Sequence, residues 1–109
     1  AEERARQSLD KPATATRTQA KADRKKQKEA AAELRSLKKA AAESEKALEE
    51  AEAELARLED LMCAADFYDD QEQSGMVLAE YTKLKDRIAV LTDEWEEKTL
   101  AWEEASTED

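Results

Sequence analysis

LRSLKKAAAESEKALEEAEAELARLEDLM, residues 34–62, decides the fold of this chain. Leu34, Leu37, Ala41, Ser44, Leu48, Ala51, Leu55, Leu58 and Met62 recur at alternating intervals of three and four. A helix turns once every ~3.6 residues, so this spacing lays them along one seam that must pack against another helix. The positions between them are mostly Glu, Lys, Arg and Ala, which suit a solvated face.

A second series follows Gly75: Val77, Tyr81, Leu84, Ile88, Leu91 and Trp95, then a lapse at Lys98 and a return at Trp102. Each seam covers roughly 40 Å, and two matched amphipathic helices joined by a short connector fold back as an αα-hairpin. An antiparallel register in which paired positions add to about 139 sets Met62 on Val77, Leu58 on Tyr81 and Leu55 on Leu84. It also sets Ala51 on Ile88, Leu48 on Leu91, Ser44 on Trp95 and Leu37 on Trp102. Small residues on the first helix then meet bulky ones on the second, as close packing requires. A parallel homodimer would stack Ala on Ala and Trp on Trp, so a monomeric hairpin is expected.

The predicted fold is all-α: a two-helix antiparallel coiled-coil hairpin with a partly helical tip and a flexible N-terminal linker. The linker is expected over residues 1–21, where Pro12 and an Ala/Thr alternation interrupt any apolar period. The hairpin domain then occupies 22–109, with helix 1 over about 23–63, the tip over 64–75 and helix 2 over about 76–104. Asp23 is the start signal for the first helix. Asp66 or Asp69 is expected to cap a turn in the tip, and Ser74 with Gly75 to open the second helix.

In the tip, LMCAADFYDDQEQSGM (61–76), Phe67 and Tyr68 are placed to fold back over Met62, Val77 and Leu78 as an apolar plug. Recognition of a partner by an exposed tip is the other role open to them. Cys63 has no second thiol nearby and reads as a small buried core residue. Trp95 and Trp102 read as seam residues, because the acids around them (Glu94, Glu96, Glu97, Glu103, Glu104) repel the phosphates that base stacking would bring.

Composition agrees with a long helical protein: 42% of the 109 residues are charged, with one Gly and one Pro. The net charge of −10 conceals a segregation. Residues 1–39 hold 12 Lys/Arg and 6 Asp/Glu, and residues 40–109 hold 6 and 22. The chain contains no His, and its single Gly excludes both phosphate-binding glycine motifs. The acids Asp66, Asp69, Asp70 and Glu72 lack the spacing of a calcium loop. No catalytic residue, cofactor or metal site is therefore expected, and this chain by itself is not expected to be an enzyme. No apolar run reaches the ~18 residues of a membrane span, and one Cys suits a reducing cytoplasm. The basic run KADRKKQK (21–28) has Arg24, Lys25, Lys26 and Lys28 around a single turn, which suits either a solvated helix start or contacts with a phosphate backbone.

RKKQKEAAAELRSL (24–37), ALEEAEAELARLEDLM (47–62), ADFYDD (65–70) and DEWEE (93–97) together resemble the C-terminal domain of bacterial ABC-F ATPases, Uup-like members in particular. The likeness covers roughly residues 22–104, and the ADFY tip followed by WE one helix later is its most specific part. Where tips of that family often carry Pro, this chain has Ala65. The resemblance implies a domain that follows the ATP-binding cassettes of the same parent chain through a charged linker. It also implies nucleic acid, DNA or ribosomal RNA, as the partner. Arg24, Lys25, Lys26, Lys28, Arg35, Lys38 and Lys39 are then the expected contacts. The alternative from another class is a protein-interaction coiled coil that self-associates or docks through its tip.

Overall fold

A computed structural model describes the backbone over residues 2–107 and the side chains over residues 16–107. It contains two long helices, α1 (Glu2–Met62) and α2 (Gln71–Thr107), separated by a 3-10 turn at Phe67–Asp69. No strand occurs among the described residues. The chain divides into two compact units, Ala1–Arg35 and Ser36–Asp109.

The second unit is the antiparallel hairpin. From Leu37 to Met62 every seam position of α1 is buried or half-buried, and on α2 the same holds from Val77 to Trp95 and again at Trp102. Lys98, the lapse, is exposed. Leu58 is the most enclosed large side chain, at 1% exposure, and Ala41, Ala51 and Leu91 join it in the core. The residues between seam positions are largely exposed, so the heptad translates directly into a one-sided apolar stripe.

Three juxtapositions show the direction of the pair and agree with the expected register to within a few residues. Lys38 Nζ lies 5.9 Å from the Trp102 ring centroid at the open end. Midway, Glu54 and Leu58 line one cavity with Lys83, Leu84 and Arg87. At the other end, Leu61 shares a cavity with Gln73 and Val77. Positions falling on α1 thus meet positions rising on α2, within a few residues of the register expected from the seams.

The turn between the helices departs from the sequence expectation in several places. α2 begins at Gln71 rather than near 76, and α1 ends at Met62. Its cap is Asp70, in extended backbone, whose Oδ1 accepts the Gln73 N–H at 3.1 Å. Asp66 stands at the N-cap of the 3-10 turn, one of the two positions expected to cap a turn in the tip, but makes no side-chain cap bond there. Ser74 and Gly75 consequently lie inside the first turns of α2. Ser74 is buried there and donates its hydroxyl to the Gln71 carbonyl at 3.2 Å. Cys63 is exposed, not buried, because the chain leaves the helix at that residue and turns it off the seam.

The first unit is corrected in its secondary structure. Residues 2–21, expected as a linker, belong to α1. After Pro12 the chain offers mostly Ala, Arg, Lys, Gln and Glu up to residue 35, all strong helix formers. Gln19 donates to Asp23 one turn on at 3.0 Å, so Asp23 is helix interior and not a start. The two compact units meet at Arg35/Ser36.

Candidate nucleic-acid interface

Because α1 is helical through the basic segment, its cations have defined directions. At ~3.6 residues per turn, Arg17, Lys21, Arg24, Lys28 and Arg35 fall within a sector of about 60°, along about 27 Å of axis. All five are exposed, and no ion pair among the described residues holds any of them. Long cationic side chains along one face, none of them held in an ion pair, form a stripe of positive potential.

The seven expected contacts do not form one site. Arg24, Lys28 and Arg35 stand on this stripe. Lys25 and Lys26 are exposed but turn away from it, about 100° and 200° around the helix from Arg24. Lys38 and Lys39 belong to the hairpin unit, where each has a local partner. Lys38 lies over the Trp102 ring, and Lys39 reaches Glu43 at 4.0 Å. Arg17 and Lys21 were outside the expected set because Pro12 and the threonines made their segment read as a linker. The intervals of four, three and four through Arg17, Lys21, Arg24 and Lys28 are the signal the sequence offers.

The electrostatics of the hairpin unit are acidic. The hairpin unit, residues 36–109, carries 8 Lys/Arg against 22 Asp/Glu. Its best-formed ion pair joins Arg57 and Glu54, with Nη2 to Oε1 at 2.6 Å and a second bond from Nε at 3.0 Å. This fork holds the Glu54 carboxyl below the ordinary range, chiefly through the hydrogen bonds and then through charge. Trp95 and Trp102 are half-buried at seam positions.

At the tip, Phe67 is half-buried and packs edge-on against Tyr68, with ring centroids 4.8 Å apart and planes at 77°. Tyr68 is 66% exposed, so only one of the two rings acts as a plug. The 3-10 turn splits the pair, since consecutive residues there project about 120° apart. Among the described residues no group of three or more His, Cys, Asp or Glu is arranged to hold a metal ion. No helix of those residues is long and apolar enough to cross a membrane. Comparison with protein-family models, curated proteins and solved structures gave no match.

Proposed function

We propose that this chain is a non-catalytic accessory domain of a cytoplasmic ABC-F ATP-binding protein that contacts DNA or ribosomal RNA without reading sequence. The observation that carries the nucleic-acid part is the exposed, unpaired row of Arg17, Lys21, Arg24, Lys28 and Arg35 on one helix face. Each phosphate such a cation neutralises releases condensed counterions, and backbone contacts of this kind position a protein without specifying bases. The hairpin, rich in carboxylates, contributes no contact to the polyanion in this reading. The parentage rests on the resemblance of the heptad helix, the ADFY tip and the DEWEE segment.

The test is a salt titration of binding to a duplex DNA and to a ribosomal RNA fragment. Changing Arg17, Lys21, Arg24, Lys28 and Arg35 to Gln should weaken binding to both, equally across sequences. For duplex DNA the log–log salt slope should fall in magnitude by about 4 if each cation meets a phosphate. Lys25→Gln with Lys26→Gln should change it far less. Binding indifferent to salt and to the stripe would eliminate this function.

A further inference from the structure

We infer that the hairpin tip is a docking site for a protein segment in which an apolar side chain is flanked by lysine or arginine. Large exposed apolar side chains are few among the described residues, and three of the five, Leu61, Tyr68 and Met76, lie at this one end. Beside Leu61 opens a cavity of about 270 Å³, lined by Leu61, Phe67 and Val77 together with Asp66, Asp69 and Asp70, and Tyr68 adjoins it through Phe67. The apolar part is of a size to take one aliphatic side chain. An exposed Tyr, rigid and amphipathic, is the kind of residue that anchors interfaces. Here it is braced edge-on by Phe67, so little freedom remains to be lost on binding.

Charge selects the occupant. Between Arg57 and Lys83 the chain has seven acids and no Lys or Arg. Among the described residues the carboxylates of Asp66 and Asp69 have no hydrogen-bond or ion-pair partner, while Asp70 is committed to capping α2. A nucleic acid or an anionic lipid surface would be repelled by this array. A basic segment would find two unpaired carboxylates beside a pocket for its apolar residue, and the same array penalises acidic competitors. This site is separate from the basic stripe, so it stands or falls independently of nucleic-acid binding.

The probes are two capped pentapeptides of equal charge, Lys-Lys-Leu-Lys-Lys and Lys-Lys-Ser-Lys-Lys, titrated into the 109-residue chain and followed by backbone amide NMR. The leucine peptide should shift amides within residues 61–77 only, and bind about tenfold or more tightly than the serine peptide, as burial of one Leu implies. Tyr68→Ser, and separately Asp66→Asn with Asp69→Asn, should weaken it by a similar factor while leaving the melting curve unchanged. Glu103→Gln with Glu104→Gln, a loss of equal charge far from the tip, should not. Equal binding of the two peptides, shifts spread over the acidic faces, or no binding would overturn the inference. Tip shifts that appear on concentrating the protein without peptide would overturn it in favour of a second copy as occupant.

Discussion

Ser44 shows how a single residue tunes the hairpin. It occupies a seam position at 6% exposure, and its hydroxyl has no hydrogen-bond partner. Size explains its presence: the register sets Trp95 opposite, and only a small side chain leaves room for an indole. The hydroxyl itself adds nothing to that fit and loses its hydration. Ser44→Ala should therefore stabilise the hairpin by roughly 1 kcal/mol, since an unsatisfied buried hydroxyl costs about 1–3 kcal/mol and Ala is also the better helix former. A thermal melt by circular dichroism reads the result, and a lower melting temperature would show that the hydroxyl has a partner after all.

At the scale of the element, the start of α2 rests on one carboxylate. The first backbone N–H groups of a helix lack internal acceptors, and Asp70 satisfies that of Gln73. Its negative charge and that of Glu72 also sit favourably on the positive end of the helix dipole. Asp70→Ala should cost about 1 kcal/mol. Asp70→Asn or Asp70→Ser should recover most of it, because each can still accept the bond. Denaturant titration separates these outcomes, and equal loss in all three variants would assign the effect to charge instead of capping. The tip positions of Phe67 and Tyr68 depend on this same boundary, because the helix start fixes where the 3-10 turn must end.

Across the whole molecule, electrostatics work against the hairpin unit. Its 22 acids and 8 bases repel along two adjacent helices, and the few exposed ion pairs offset little of that. Raising NaCl from about 20 mM to about 500 mM shortens the screening length from roughly 20 Å to a few ångströms, so the melting temperature of the hairpin should rise. The same change should dissociate nucleic acid from the basic stripe. Opposite responses of stability and binding to one variable are thus expected of the chain, and a melting temperature that falls with salt would mean attractive pairs outweigh the repulsion.

Heptad spacing alone determined the all-α hairpin, its seams and its approximate register. A side chain every three or four residues has only one face to occupy on a helix, and the large residues of one seam had to meet the small ones of the other. The lapse at Lys98 was legible for the same reason, as a charge is not left in a seam. What the tertiary structure decided lies where that periodicity stops. The roles of Cys63, Phe67, Tyr68 and Asp70 depend on where one helix ends and the next begins, and a shift of one residue turns a side chain by about 100°. The basic stripe depended on it as well: Arg17 and Lys21 join Arg24 only because the backbone between them is helical. A charge pattern becomes a surface only once the chain carrying it has a direction.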